Sequence, residues 1–437
     1  MSDTIFALSS APGRAGVAVV RASGPQVLHC IRLLAGLVPV MPRVATLRRL
    51  RDTAGAEIDQ ALVLWFPAPA SFSGEDMAEF HVHGGVAIVA KVLGALAGLA
   101  GCRPAEPGEF TRRAVENGKL DLTQAEAVAD LIEAETEGQR RLALRQFGGG
   151  LRDLYEDWRG RLVTVLAWAE AAIDFSDEEL PVDLRARSQL LVHEILKQIQ
   201  LHIEDARRGE VIREGLYLTV IGPPNAGKSS LVNALAKRDV AIVTEVAGTT
   251  RDIIEVKLDL GGYAVIVADT AGLRDTSELV EGEGVRRAMA RTKASDLVLL
   301  LLDGSAAHPL FGLPSEAIAA ASLTVWNKAD LPFPCDRAGL RLSLKTGEGL
   351  DAVLAAIERQ VVSRLDRNRE SPLLTRARHR HALEQAIAAL TRASTATASE
   401  LFAEDLRMAV RAIGRITGRV DVEELLDIVF ADFCIGK

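Results

Sequence analysis

The alternation of hydrophobic and polar positions changes character twice along the chain. Residues 1–117 hold short β-branched runs at 16–21 and 61–66, bounded by Gly and Pro, and they predict strands in an α+β domain. Residues 118–213 instead carry apolar side chains at helical spacing and predict long helices, which the acidic stretch Asp174–Asp183 interrupts. Two examples of this spacing are the sets Ala125, Val128, Ala129, Ile132 and Leu162, Val165, Leu166, Ala169.

The third pattern covers 214–362, where apolar runs of strand length alternate with helical stretches, as parallel α/β units require. We interpret five runs as buried strands: 218–221, 265–268, 297–302, 323–326 and 340–342. A polar stretch at 363–372 is interpreted as a linker, and helices then resume with Leu406, Val410 and Ile413 on one face. The pattern therefore predicts an α/β domain inserted into a helical domain.

Composition and charge exclude several classes of protein. The 437 residues are 48% hydrophobic and 25% charged, which is typical of folded domains, and about three of them are expected at this length. The net charge of −8 excludes a globally basic nucleic-acid coat protein but not a local basic groove. Cys30, Cys102, Cys335 and Cys434 form no CxxC pair, so neither a disulfide scaffold nor a cysteine zinc site is expected. With no signal peptide or membrane-spanning run in view, we expect a cytoplasmic protein without membrane contact.

Candidate chemistry begins at Gly222–Ser229, which matches the pattern GxxxxGK[ST] between a predicted strand and a helix expected to start at Ser230. Backbone N–H groups and the helix N-terminus in such a loop surround phosphates. The Lys228 ammonium can reach the β- and γ-phosphate oxygens, and the Ser229 hydroxyl can bind magnesium. This pattern predicts a phosphate-binding loop.

Four further motifs follow in the order that a guanine-nucleotide site requires. Gly248–Asp252 lies where a threonine would complete the magnesium shell, and Asp269–Gly272 and Asn327–Asp330 each follow a strand. Ser343–Lys345 ends the next strand and resembles the loop that backs the base. The Asp330 carboxylate can accept both guanine N1–H and N2–H, which adenine cannot reproduce. The full predicted GTP-binding set is Asn225, Ala226, Gly227, Lys228, Ser229, Ser230, Thr244, Glu245, Val246, Ala247, Gly248, Thr249, Thr250, Asp269, Thr270, Ala271, Gly272, Asn327, Lys328, Ala329, Asp330, Ser343, Leu344 and Lys345. Together these motifs predict a Ras-like GTPase domain.

Two residues of this set bear on how GTP is hydrolysed. Leu273 stands where small signalling GTPases have a glutamine that orients water, and an aliphatic side chain cannot do this. The amide oxygen of Asn225 can coordinate a monovalent cation, which would supply the positive charge of an arginine finger. An equally good interpretation of Asn225 is a residue that stabilises the turn.

Motifs outside the nucleotide set point to one family. They are Ala11–Val17, Ser73–Asp76, His83–Gly85, Pro107–Phe110, Lys119–Glu126 and Phe433–Lys437. With them, the sequence resembles the MnmE (TrmE) family of tRNA-modification GTPases over essentially all 437 positions. The resemblance implies a multidomain fold with three parts. An α+β folate-binding and dimerisation domain would cover 1–117, an all-α helical domain 118–213 and 363–437, and an inserted Ras-like α/β P-loop GTPase domain 214–362.

The resemblance also implies roles for individual residues at matching positions. Potassium would be bound by Asn225, Thr244, Val246 and Thr249, and magnesium by Ser229 and Thr250. Glu281 would orient the attacking water, and Cys434 would act in the active site. A tetrahydrofolate derivative (5,10-methylene- or 5-formyl-tetrahydrofolate) would be bound by Arg21, Glu79, Lys119 and Lys437.

The implied function is GTP-driven addition of a carboxymethylaminomethyl or aminomethyl group to C5 of the wobble uridine, U34, in tRNA. Hydrolysis would be stimulated by potassium and by pairing of GTPase domains in a homodimer. The implied partner is the FAD-dependent protein MnmG (GidA), in a heterotetramer. No dinucleotide-binding fingerprint is visible in this sequence, so the flavin should belong to that partner.

Other interpretations of the same residues stay open. The GTPase motifs also suit a GTP switch that binds ribosomal RNA during assembly, or a structural dimer regulated by GTP. His81 and His83 lie on one strand face and could start a metal site, although no third ligand is in view. A basic cluster could contact tRNA phosphate or form a solvated helix face; it consists of Arg376, Arg378, His379, Arg380 and His381.

Overall fold

The computed structural model describes residues 3–37, 41–174, 184–242, 255–268, 295–332, 338–366 and 372–420, together with 426, 429, 430, 433 and 436. The chain forms two compact units, each built from segments that are separated in sequence. The first unit comprises 1–129, 146–192 and 388–437, and the second comprises 130–145 and 193–387. Within the described ranges, no helix is long and apolar enough to cross a membrane.

A six-stranded sheet forms the start of the first unit, in the order β3-β4-β5-β2-β1-β6. Its strands are β1 (Thr4–Leu8), β2 (Ala15–Ser23), β3 (Thr46–Arg51), β4 (Glu57–Phe66), β5 (Met77–Gly84) and β6 (Cys102–Pro104). Side chains along a strand alternate between its two faces. Val20, Val63 and Phe80 therefore pack inward with the buried residues of α1 (Val27–Ala35) and α2 (Val86–Ala97). The strands predicted at 16–21 and 61–66 are confirmed as parts of β2 and β4.

Helices make up the rest of the first unit. The helix pair α6 (Gly150–Asp174) and α13 (Ser399–Thr417) packs along its length. Leu162 and Val165 of α6 and Leu406 and Ile413 of α13 are fully buried, as the helical spacing predicts. The helix α3 (Glu109–Glu116) also lies in this unit, while α4 (Leu122–Glu133) and α7 (Leu184–Glu204) each begin in the first unit and end in the second. The helices α5 (Glu137–Phe147) and α8 (Ala206–Glu214) belong almost entirely to the second unit.

The second unit is built on another six-stranded sheet, in the order β12-β11-β10-β7-β9-β8. Its strands are β7 (Leu216–Ile221), β8 (Glu255–Leu260), β9 (Tyr263–Ala268), β10 (Leu297–Asp303), β11 (Leu323–Asn327) and β12 (Leu340–Arg341). Its helices include α9 (Lys228–Ala236), α10 (Ser315–Ala319) and α11 (Leu350–Leu365), and α12 (Ala377–Thr395) follows them in sequence. The central strand β10 is apolar and buried from Leu297 to Leu302, as expected for a parallel strand covered on both faces. All five predicted strands are confirmed.

The sequence did not predict β8, which pairs antiparallel with β9. This hairpin turns at Gly261 and Gly262, whose φ angles are +63° and +83°. The Gly262 carbonyl accepts a 2.7 Å hydrogen bond from the N–H of Gly138 in α5. Lys257 Nζ lies 3.1 Å from Glu135 Oε2, and Tyr263 Oη donates to Asp366 Oδ1 at 3.2 Å. The hairpin is therefore anchored at two points to the segment around α5, and at a third to Asp366, which follows the helix at 350–365.

The helix predicted from the spacing at 125–132 is confirmed as part of α4, in whose last turn Ile132 is 44% exposed. Two predictions about helices were wrong in detail. Residues 363–365 of the predicted linker continue α11, and Leu365 is buried in the core of the second unit. The helix after the phosphate loop begins at Lys228, two residues earlier than predicted, because Gly227 supplies its N-cap.

Candidate functional site

The loop between β7 and α9 depends on two glycines. A Cβ on Gly222 would collide with the carbonyl oxygen of Leu301 in β10, so only glycine leaves room for the neighbouring strand. Gly227 has a φ of +101°, which side-chain-bearing residues rarely adopt, and it directly precedes α9. The loop thus leads into a helix N-terminus, where backbone N–H groups are available to phosphate.

The Lys228 ammonium lies against this loop. Its Nζ donates to the carbonyl oxygens of Gly222 and Pro223, each at 2.9 Å. Ser229 and Ser230 are exposed at the first turn of α9, and Ala226 is fully buried beneath the loop. The lysine and the serine hydroxyls are therefore placed where a phosphate chain and a magnesium ion can reach them.

Asn225 has a backbone role that the structure shows directly. Its φ is +61°, in the left-handed region that asparagine tolerates better than most residues. Its side chain is exposed, and it makes no hydrogen bond to any other described residue. The turn-stabilising interpretation is thus supported through the backbone, while the amide oxygen remains accessible to a cation.

A buried asparagine joins the phosphate loop to the base-recognition motifs. Asn327, at the end of β11, is 4% exposed. Its Nδ2 donates to the carbonyl of Ala226 at 2.8 Å, and its Oδ1 accepts from the backbone N–H of Leu344 at 3.2 Å. One side chain therefore sets the spacing between three predicted motifs.

The Asp330 carboxylate is oriented by the same region. Ser343 Oγ donates to Asp330 Oδ1 at 2.8 Å, and Lys345 Nζ lies 3.9 Å from Oδ2. The hydrogen bond from Ser343 is the main reason that the pKa of Asp330 is lowered. Lys328 has a φ of +65° and pairs through its Nζ with Asp303 at 2.6 Å. The Asp330 side chain is thus ionised at neutral pH, as an acceptor of two guanine N–H groups must be.

Part of the predicted set lies outside the described residues. These positions are Thr244, Glu245, Val246, Ala247, Gly248, Thr249, Thr250, Asp269, Thr270, Ala271, Gly272, Glu281, Cys434 and Lys437. Their assignments remain predictions. The described members form three groups: Asn225–Ser230, Asn327–Asp330 and Ser343–Lys345. Asn327 belongs to the second group and is hydrogen-bonded to Ala226 of the first and to Leu344 of the third.

A second site lies on the sheet of the first unit. Arg21 on β2 stands directly across from Glu79 on β5. Its Nε and Nη2 donate to Glu79 Oε1 at 3.1 and 2.9 Å, and its guanidinium lies 5.7 Å from the ring centres of Phe72 and Phe110. Lys119 is exposed, with its stem beside Gly74. The structure thus pairs two of the predicted folate residues but shows no contact between them and Lys119.

The far end of the sequence returns to this sheet. Ser9 Oγ donates to the carbonyl of Gly436 at 2.8 Å. Gly436 has a φ of +99°, and a Cβ there would collide with the carbonyl of Leu8. Leu8 ends β1, the strand that pairs with the Arg21 strand. The segment that carries the predicted residues Cys434 and Lys437 is therefore fixed to this sheet at Gly436.

Sequence reasoning missed the ion network that holds this region together. The buried Arg113 of α3 donates to Glu109 at 2.9 Å and to Glu75 at 3.0 Å. Ser23 Oγ in turn donates to Glu75 Oε2 at 2.8 Å. Glu75 and Glu109 belong to the family motifs Ser73–Asp76 and Pro107–Phe110, and these motifs were the one feature of the sequence that could have pointed to the network. These motif residues serve the structure of the domain.

The structure bears on two further interpretations: a metal site at His81 and His83, and the basic cluster at 376–381. His81 Nε2 lies 3.1 Å from Glu79 Oε2 and His83 Nδ1 lies 2.8 Å from Asp59 Oδ1, and the described residues contain no group of three metal ligands. In the basic cluster, Arg376 pairs with Asp130 at 2.7 Å, Arg380 pairs with Glu210, and His379 is 1% exposed. The buried His379 does not fit a fully solvated helix face, and both arginines are paired with carboxylates. The contact of this cluster with tRNA phosphate stays a prediction.

The described geometry defines a P-loop GTPase domain: a strand, a glycine loop and a helix N-terminus. Asn327 ties this loop to Leu344, whose neighbour Ser343 bonds to Asp330, the predicted base-recognition residue. Family models support this class and extend it over the chain. The model described as "GTP-binding protein TrmE N-terminus" matches residues 4–119, and "MnmE helical domain" matches 122–434.

Full-length relatives identify the family. The chain is 52% identical to the tRNA modification GTPase MnmE of Rhodospirillum rubrum, covering 100% of this chain and 99% of that one. Identity is 52% to the MnmE of Parvibaculum lavamentivorans and 53% to that of Paramagnetospirillum magneticum, each over 100% of both chains. The chain therefore belongs to the MnmE family of tRNA modification GTPases, and the predicted multidomain fold class is confirmed.

Proposed function

We propose that this chain couples GTP hydrolysis to addition of a carboxymethylaminomethyl or aminomethyl group at C5 of the tRNA wobble uridine. The observation that carries the proposal is the placement of Asn327, which fixes the phosphate loop and the guanine-recognition loop relative to each other. Relatives that match along their whole length and are named for tRNA modification favour this function over a ribosome-assembly switch.

The nucleotide chemistry would use residues on both sides of the phosphate loop. Lys228 and the loop backbone would hold the phosphates, and Ser229 with Thr250 would hold magnesium. Asn225, Thr244, the Val246 carbonyl and Thr249 would hold potassium, which adds positive charge at the transferring phosphoryl group. The exposed Asn225 amide suits this role. Glu281 would orient the water that Leu273 cannot.

The sheet of the first unit would bind the one-carbon donor, a 5,10-methylene- or 5-formyl-tetrahydrofolate. Arg21, Lys119 and Lys437 carry the positive charge that glutamyl carboxylates require, and Glu79 can accept pterin N–H groups. Arg21 and Glu79 are only 21% and 15% exposed, and two aromatic rings flank the arginine. Cys434 would act close to this donor, since Gly436 lies against β1.

Partners follow from the same proposal. The chain would form a homodimer and a heterotetramer with the FAD-dependent protein MnmG, and would act on tRNA in the cytoplasm. The outer face of the first sheet offers Leu47 and Leu62, which are cross-strand neighbours and are 62% and 43% exposed. Exposed apolar neighbours of this kind are typical of protein interfaces.

The modification state of tRNA tests the proposal. Cells that lack the gene should contain wobble uridines without the carboxymethylaminomethyl or aminomethyl group, as measured by mass spectrometry of digested tRNA. Wild-type protein should restore the group. A Lys228→Ala variant should not restore it, because the phosphates lose their ammonium partner. Normal wobble uridine in the deletion strain would refute the proposal.

A further inference from the structure

A histidine that the proposed function leaves without a role lies beside the Arg21–Glu79 pair. Arg21 donates both of its contacts to Glu79 Oε1, and His81 Nε2 lies 3.1 Å from the other oxygen, Oε2. We infer that His81 is a positioning residue of the folate site, which fixes the Glu79 carboxylate so that it faces the pterin N–H groups. The inference rests on the proposed function, because it assumes that this sheet binds a folate.

The direction of the hydrogen bond follows from the partners of Glu79. A glutamate that accepts two N–H bonds from an arginine is ionised, and an ionised carboxylate can only accept hydrogen bonds. The proton shared with His81 must therefore sit on its Nε2. In this tautomer His81 leaves its Nδ1 without a proton when the ring is neutral, and the Arg21–Glu79–His81 chain then has no net charge.

The other members of the chain are already fixed, which isolates the task of His81. Strand register places Arg21 across from Glu79, and the rings of Phe72 and Phe110 lie 5.7 Å from its guanidinium. The last side-chain torsion of a glutamate is broad. A contact at Oε1 alone therefore leaves the carboxylate plane free to rotate, whereas contacts at both oxygens restrain it. A pterin, which presents two N–H groups in one plane, benefits from that restraint.

His83 provides a matched control on the same strand and the same face. It pairs with Asp59 at 2.8 Å, and its side chain is 69% exposed, compared with 30% for His81. It has no contact with Glu79 among the described residues. A change at His83 therefore removes a histidine–carboxylate pair from β5 without altering the proposed site.

Calorimetric titration of the full-length protein with 5-formyl-tetrahydrofolate tests the inference. The variants are His81→Leu, His81→Asn, His81→Gln and His83→Leu. We expect His81→Leu to raise the dissociation constant roughly tenfold or more, since a hydrogen bond to a charged group is lost. His81→Asn should behave alike, because its amide is too short. His81→Gln should keep most of the affinity, since its amide nitrogen reaches as far as Nε2, and His83→Leu should match wild type.

GTP affinity should be the same in all variants. Each leucine variant loses one histidine–carboxylate pair of β5, so both should lower the melting temperature slightly, and the loss of folate affinity in His81→Leu alone separates positioning from folding. Wild-type affinity in His81→Leu and His81→Asn would overturn the inference, and so would a His81→Gln protein as weak as His81→Leu. A wild-type protein that binds no folate would instead refute the folate part of the proposed function. The two failures are thus distinguishable in one set of titrations.

Discussion

Replacing Gly138 with alanine would test whether the β8–β9 hairpin is held by α5. A Cβ at this position would lie 2.7 Å from the carbonyl oxygen of Gly262 and 2.8 Å from Cδ1 of Tyr263. Real Cβ atoms do not approach backbone oxygens this closely, so the hairpin turn and the helix must separate by several tenths of an ångström. The 2.7 Å hydrogen bond from Gly138 N to the Gly262 carbonyl lies in the same contact and would weaken.

The magnitude follows from opposing terms. Overpacking costs about 1–3 kcal/mol and a weakened backbone hydrogen bond about 1 kcal/mol. Alanine gains up to about 1 kcal/mol in helix propensity over glycine. The net local destabilisation is therefore about 1–3 kcal/mol. Gly160 in α6 is the matched control: a Cβ there meets nothing within 4 Å, so Gly160→Ala should be stabilising.

Hydrogen–deuterium exchange measures this local opening. A destabilisation of about 1–3 kcal/mol should accelerate exchange roughly 5- to 150-fold in α5 and in the hairpin at 255–268. GTP affinity should be unchanged, because the phosphate loop makes none of these contacts. Unaltered exchange in Gly138→Ala would refute the packing argument, and equal acceleration in Gly160→Ala would show that the effect is not specific to the contact.

Three further predictions concern the nucleotide site and a buried histidine. Asp330→Asn should weaken GTP binding roughly a hundredfold or more and favour xanthosine triphosphate, since one carboxylate makes both guanine contacts; retained guanine preference in a competition assay would contradict the base assignment. GTP hydrolysis should be faster in potassium than in sodium, by at most about 10³-fold, and equal rates in the two salts would exclude a catalytic role for potassium. Glu281→Ala should lower the hydrolysis rate with little change in GTP affinity. Burial lowers the pKa of His202 from 6.5 to about 4, with a smaller contribution from His379. On acidification the unfolded chain therefore protonates His202 at a higher pH than the folded chain does. The contribution of the neutral His202 to the free energy of unfolding is full above pH 6.5, and it falls by at most about 3 kcal/mol as the pH drops toward 4. A His202→Leu variant should lack this share of the fall in melting temperature, and an identical pH profile would contradict it.

The parts of the fold and site that follow from local sequence could be predicted. The phosphate loop is one such part, because its glycines, lysine and helix start lie within a few residues and their backbone demands are local. The buried strand β10 is another, because a strand covered on both faces is a continuous apolar run. Strand β8 alternates strictly between charged and apolar residues from Glu255 to Leu260, which is the ordinary pattern of a half-buried strand, so it was predictable and was overlooked. Its antiparallel pairing with β9 is a contact that the pattern alone does not give.

Contacts between distant positions could not be predicted in this way. Asn327 bonds to Ala226, 101 positions away, and Arg376 bonds to Asp130, 246 positions away. Nothing near Arg376 in the sequence shows that its charge is neutralised, so a cluster of cations looked available for phosphate. The ion pair between Arg113 and Glu75 is a third example, since Glu75 lies 38 positions before Arg113 and outside the helix that carries Arg113 and Glu109.

The bond between Ser9 and Gly436 constrains the order in which the protein matures. At a synthesis rate of 5–20 residues per second, the 427 positions that separate them take roughly 20 to 85 s to make. The first sheet emerges at the start of that interval, and the end of its strand β1 lacks the contact with Gly436 until the end. The phosphate loop and the loop at 327–330 leave the ribosome earlier. Each new molecule should therefore be able to form its nucleotide site before its first sheet can complete the proposed folate site.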